Sequence, residues 1–239
     1  MSIAVSASRT PVAAKSVPWT VIERGGQAQD VELDLRALEK IGIKLRFTRG
    51  ETIFSEGDEA DYSYKVVTGA IRLCKHLADG RRQIADFVLP GDYCGLLHLD
   101  EHRFTAEAAS DVTVIAYPQR QVEKLGEELP SMRKRLTNFL ARRLMDVQDH
   151  LIMLGRQTAK ERVVGFLLRL AERSGVGDGE TIELPMSRQD MADYLGLTIE
   201  TVCRVLSELK RRRLIALPSL HGAVLIDSEA LRDLFEDCD

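Results

Sequence analysis

Residues Leu197–Leu214 read LTIETVCRVLSELKRRRL, and their spacing decides the fold of the C-terminal third. Val202, Leu206 and Leu209 recur at the intervals of one helix face, which predicts burial. Glu200, Cys203, Arg204 and Ser207 fall on the opposite face at i, i+3, i+4 and i+7. Thr198 has the side chain of an N-cap. Just upstream, Ser187 and Asp190 have capping-box spacing, Met191 and Leu195 face a core, and Gly196 ends that earlier helix. Two short helices joined through a glycine turn make a helix-turn-helix. Downstream, LIALPSLHGAVLI (214–226) offers two short strands, which extends the unit to a winged helix.

The exposed face of the second helix occupies its N-terminal turns, the part of a recognition helix that reaches base edges. An arginine there can donate two hydrogen bonds to guanine O6 and N7, and a glutamate can accept from a cytosine amino group. Arg204 and Glu200 fit those tasks. The plainer alternative is an ordinary surface ion pair at i,i+4. From Arg204 to Arg213 the chain carries Arg204, Lys210, Arg211, Arg212 and Arg213 against Glu208 alone. On a chain of formal net charge −4, this patch implies one confined anionic partner rather than general adhesion to nucleic acid.

Upstream the pattern changes twice. Between Phe47 and Pro118, short apolar runs are punctuated by Gly57, Gly69, Gly80 and Gly91, which predicts an antiparallel barrel or sandwich of short strands. ADGRR (78–82) reads as a hairpin turn. From Ser131 to Gln157 glycine is absent until Gly155, while Met132, Leu136, Leu140, Leu144, Val147, Leu151 and Leu154 recur every three or four residues. That is one apolar stripe on a long helix. It packs either on its own sheet or against the same helix of a second chain, and the near-heptad spacing favours the second. TAKERVVGFLLRLAERSG (158–175) follows as a helix, capped by Thr158 and Glu161 and ended by Gly175.

Composition is that of a globular protein, with 44% apolar and 29% charged residues. The N-terminal MSIAVSASRTPVAAKSVPW lacks a basic start followed by an apolar block, so no secretory signal is read. With four cysteines lacking CxxC spacing, a reducing, cytoplasmic setting is expected. No membrane span is expected. No nucleophile elbow, P-loop or paired metal motif is present, so an enzyme is not expected.

With these residues in view, the chain resembles the CRP/FNR family of bacterial transcription regulators, most closely its FixK-type branch. GLTIETVCRVLSELKRRRLI carries most of the resemblance, and LPGDYCGL and HRFTAEA support it. The implied fold is α+β: a mobile tail (1–30), a cyclic-nucleotide-binding-like β-roll (31–128), a dimerisation helix (129–157) and a winged helix-turn-helix (158–239). Such relatives read TTGA-type half-sites of an inverted repeat through a Glu-x-x-Ser-Arg motif. Glu200 and Arg204 match it, while Cys203 stands in the serine position. The resemblance implies a homodimeric activator that meets RNA polymerase and controls low-oxygen metabolism. Base contacts are expected from Ile199, Glu200, Cys203 and Arg204. Phosphate contacts are expected from Ser187, Gln189, Thr198, Thr201, Ser207 and Lys210.

The same resemblance argues against two family ligands. No cysteine precedes Cys74, whereas the iron–sulfur members cluster cysteines near the N-terminus. Where cyclic-nucleotide binders carry glutamate and Arg-Ser, this chain has Leu96 and Phe104-Thr105, with Arg103 out of register. No cofactor or metal is therefore expected. One alternative stays open: Cys94, His98 and His102, at i, i+4 and i+8, would share a helix face and could ligate haem or a metal. Their plainer reading is a buried thiol and hydrogen-bonded histidines. Cys74 with His76 is a weaker pair of the same kind. Cys203 raises a second alternative. It is either a tolerated exchange for serine or a redox-sensitive site, because oxidation to a sulfinic or sulfonic acid would set negative charge against DNA.

Overall fold

The computed structural model describes residues 37–95 and 100–236. The expected tail (1–30), Leu96 and His98 lie outside the described residues. After a helical turn at 37–41, eight strands fold into two antiparallel four-stranded sheets, ordered β1-β8-β3-β6 and β2-β7-β4-β5. They are β1 (Ile43–Phe47), β2 (Thr52–Phe54), β3 (Tyr62–Thr68), β4 (Ile71–His76), β5 (Arg82–Val88), β6 (Tyr93–Cys94), β7 (Thr105–Ala108) and β8 (Val112–Pro118). Alternation puts Val66, Ile71, Val88, Ala106, Val112 and Val114 between the sheets, where they form one core with Phe54 and Tyr64. The turn between β3 and β4 needs Gly69. Its φ is 78°, and a Cβ there would lie 2.1 Å from the Asp111 carbonyl oxygen. Gly80, at φ 84°, closes the β4–β5 hairpin as the sequence predicts.

Two helices leave the β-roll, α1 (Gln119–Glu128) and the 27-residue α2 (Pro130–Arg156). Pro130 starts α2 at N1, where its missing N–H costs nothing. At 1.5 Å per residue α2 is about 40 Å long. The predicted stripe divides along this length. Met132 is buried, Leu136 and Leu140 are half-buried, and Leu154 packs on the C-terminal core. Leu144, Val147 and Leu151 stand in solvent, 59–71% exposed, joined by Met145 and Ile152.

The C-terminal unit comprises α3 (Ala159–Ser174), β9 (Thr181–Glu183), α4 (Arg188–Leu195), α5 (Ile199–Arg211), β10 (Ile215–Ser219), β11 (Gly222–Leu225) and α6 (Ser228–Glu236). Capping boxes start α3 at Thr158 and α4 at Ser187. The wing strands pair in the order β10-β11-β9. Gly196 ends α4 in the left-handed region, against Leu154 of α2 and the Arg162 guanidinium. Arg162 in turn donates to the carbonyls of Leu154, Gln157 and Leu195, which fastens the ends of α2 and α4 to α3.

The β-roll and the winged helix share a packed junction. Phe87 of β5 meets Phe166 of α3 and Tyr194 of α4, with ring centroids 6.2 and 5.3 Å away. His150 of α2 stacks on Tyr194 at 4.3 Å. Burial, reinforced by Arg169 and Arg162, lowers that imidazole to about 4, so it is neutral at neutral pH. Around this apolar centre runs an ionic border. Arg82 reaches Asp190 and Asp193 at 2.6 Å each, and Arg72 bridges Glu107 (2.8 Å) and Asp190 (3.2 Å). Gln83 donates to the Asp193 carbonyl at 2.7 Å. Arg143–Asp86 and Arg173–Asp92 close the border from α2 and α3.

Asp190 is 1% exposed and meets Ser187, Arg72 and Arg82. Burial alone would raise its carboxyl. Hydrogen bonds from Ser187 and the charges of Arg72 and Arg82 outweigh burial and hold it below the usual carboxylate range. Replacing Asp190 with Ala takes a buried carboxylate away from two guanidiniums, which keep Glu107 and Asp193, and removes its half of the α4 capping box, so urea unfolding is expected to show a loss of about 3 kcal/mol. Lys75→Ala breaks a pair with Glu56 in which both side chains are more than 40% exposed, and is expected to cost under about 1 kcal/mol.

Candidate nucleic-acid interface

Helix α5 takes its orientation from the core beneath it. Val202, Val205, Leu206 and Leu209 are buried against α3 and α4, which leaves Glu200, Cys203, Arg204 and Ser207 exposed on the far side. The predicted face is therefore assembled. Thr198 caps the helix by accepting from the Thr201 N–H at 3.3 Å. Glu200 sits in the first turn, where its own backbone N–H and the Thr198 side chain hold its carboxyl below the usual range. Its negative charge is thus compatible with the helix N-terminus that carries it.

Arg204 does not pair with Glu200 among the described residues. Its guanidinium leans on the Thr201 hydroxyl at 3.5 Å, so its donors point along the exposed face. Ser207 spends its proton on the Cys203 carbonyl at 2.8 Å. Ile199 is half-buried and packs on the core, leaving part of its side chain at the surface. Gln189 is exposed and donates to Asp193 at 2.7 Å. Ser187 has both donors committed to Asp190, at 3.0 Å from nitrogen and 2.7 Å from oxygen, so a phosphate reaching it has to displace that bond.

The basic run is cleaner than its sequence suggests. Glu208, its one acid, pairs with Lys160 of α3 at 2.8 Å. Lys210, Arg211, Arg212 and Arg213 are all exposed, and Arg213 turns the chain out of the helix at φ 59°. The wing hairpin follows, its tip at Leu220, which is 77% exposed. Arg188 of α4 is a residue the sequence reading missed. It is half-buried, its Nη1 lies 3.3 Å from the Met191 sulfur, and burial lowers its guanidinium below the usual range. Its helix face was read only for capping and core, although Arg188 directly follows the N-cap.

The alternative β-roll site is not assembled on one helix face. Cys94 is on strand β6, paired with Tyr64, and His102 lies outside any helix or strand. Burial pushes the Cys94 thiol up to about 12. His102 is buried and stacks on Phe54 at 3.7 Å. Nearby, Thr105 accepts from the Glu56 N–H at 3.1 Å, and the Phe104 ring lies 5.9 Å from the Lys75 ammonium. Arg103 is exposed. Among the described residues no helix is long and apolar enough to cross a membrane.

Comparison with known proteins agrees with this geometry. The sequence matches the Crp-like helix-turn-helix domain over residues 161–234 and the cyclic nucleotide-binding domain over residues 44–128. It is 44% identical over 193 residues to the nitrogen fixation regulation protein FixK of Bradyrhizobium diazoefficiens, covering 80% of this chain and 81% of that one. It is 40% identical to the transcriptional activatory protein AadR of Rhodopseudomonas palustris, covering 77% and 78%. Among solved structures, FixK2 from Bradyrhizobium japonicum superposes with a TM-score of 0.77 at 39% identity, covering 81% of this chain and 97% of that one. The chain belongs to the CRP/FNR family of helix-turn-helix transcription regulators, in its FixK-type branch.

Proposed function

We propose that this regulator binds an inverted-repeat DNA site as a homodimer and activates transcription there, without cyclic nucleotide or an iron–sulfur cluster. The observation that carries the reading is the face of α5, where Glu200, Cys203 and Arg204 stand exposed over a fully packed opposite side. Arg204 reads guanine and Glu200 accepts from cytosine, consistent with a TTGA-type half-site and its complement. Thr198, Thr201, Ser207 and Lys210 surround these residues and serve the phosphates, with Ile199 against a base edge. Ser187 and Gln189 join the phosphate set from the N-terminal end of α4.

Dimerisation is supported by the exposed apolar band of α2. Leu144, Met145, Val147, Leu151 and Ile152 together leave more apolar surface in water than scattered surface residues do. The same band on a second copy covers it, and a twofold axis there sets the two recognition helices about one DNA turn, 34 Å, apart. Independence from cyclic nucleotide is supported by Phe104-Thr105, since neither supplies a positive partner for a phosphate. Activation, contact with RNA polymerase and a role in low-oxygen metabolism follow from kinship with FixK and AadR. Redox modulation rests on Cys203, whose exposed thiol lies within the reading face.

Three outcomes are expected. Arg204→Ala loses about 1–3 kcal/mol of binding at its base pair and relaxes preference there. Full sequence discrimination by that variant in a selection from random DNA would place the reading face elsewhere. Leu151→Asp gives a monomer by sedimentation and loses DNA binding at concentrations where the parent binds. Peroxide abolishes DNA binding by the parent and spares Cys203→Ser; equal sensitivity of the two proteins removes Cys203 as the site of oxidation.

A further inference from the structure

Strands β4 and β7 bring together three ligating groups that have no part in the DNA-binding face. Cys74 and His76 are two residues apart on β4, and Glu107 comes from β7, where the register pairs Arg72 with Glu107 and Cys74 with Thr105. The thiol sulfur, an imidazole nitrogen and a carboxylate oxygen all lie within 4.8 Å of one another. Cys74 is buried, Glu107 is half-buried and His76 is exposed, so the cluster opens to solvent on its histidine side. Both close Arg72 contacts, from Nε and Nη2 at 2.8 Å, fall on the same Glu107 oxygen, Oε2.

We propose that Cys74, His76 and Glu107 form a binding site for a borderline-soft divalent cation of the zinc type. One sulfur, one imidazole nitrogen and one carboxylate oxygen are ligands zinc accepts, and three protein ligands leave a fourth position for water. The cation replaces a proton. Cys74 S–H releases its proton to solvent as the sulfur–metal bond forms, His76 binds through a neutral ring nitrogen, and Glu107 binds through a carboxylate oxygen. No electron moves. Burial, and after it the charge of Glu107, pushes the metal-free thiol up to about 11, which keeps the sulfur protonated until a cation displaces the proton.

Arg72 gives the site a connection to the rest of the molecule. It holds the ligating carboxylate through Oε2, the usual task of a group behind a metal ligand. The same guanidinium holds Asp190 at the first turn of α4. A cation on Glu107 withdraws negative charge from Arg72 and leaves it to Asp190, so occupancy is felt at the seam between the β-roll and the helix-turn-helix.

The test uses the full chain stripped of metal by a chelator. Cobalt(II) is expected to give a thiolate-to-cobalt charge-transfer band that saturates at one equivalent and is abolished by zinc. Cys203→Ser retains the band and Cys74→Ser loses it. His76→Ala, which alters an exposed side chain and leaves the core intact, weakens cobalt binding at least about tenfold. At equal concentration zinc raises the thermal midpoint of the parent more than that of His76→Ala. A parent without the band, a band that survives Cys74→Ser, or unchanged cobalt affinity in His76→Ala overturns the site.

Discussion

The constraint on which the rest of the structure depends is the burial of one carboxylate. Asp190 closes the capping box of α4 and accepts from Arg72 and Arg82 of the β-roll. A buried carboxylate with fewer partners would cost several kcal/mol, so α4 has one favourable place, with its first turn against β4 and β5. Helix α5 follows from that placement through Gly196, and the exposed face of α5 is whatever its packed side leaves over. A buried residue of α4 thereby fixes the direction in which Glu200 and Arg204 point.

The apolar and ionic parts of this junction divide the work. Phe87, Phe166, Tyr194 and the neutral ring of His150 supply area removed from water, which has no strong directional preference. The arginine–carboxylate border supplies direction, because planar guanidiniums reward one geometry. Together they hold the two halves of the chain in a set relation, with side chains occupying the seam.

Local features were legible in the sequence and distant partnerships were not. Capping at Thr158, Ser187 and Thr198, the glycine stops and the two faces of α5 all depend on residues within one or two turns, which spacing reports directly. The α2 stripe was legible as a face. Spacing could not tell which turns this chain itself covers, so Met132 and Leu154 looked equivalent to Leu144 and Leu151, while Met145 and Ile152 went unread. Asp190 showed its cap through Ser187 and hid its partners Arg72 and Arg82, more than a hundred residues away. A shorter separation, across two strands, likewise hid Glu107 from Cys74 and His76. For Cys94 and His102 helical spacing carries no information, since Cys94 lies on strand β6 and His102 outside any helix.

The bare band on α2 has a consequence for how such a regulator responds to its own abundance. If two copies pair through that band before either reaches DNA, the binding species scales with the square of chain concentration at low levels. A twofold rise in synthesis then gives about a fourfold rise in dimer while monomer predominates. The five exposed side chains would make the response steeper than linear, so supply of the chain itself can serve as the signal.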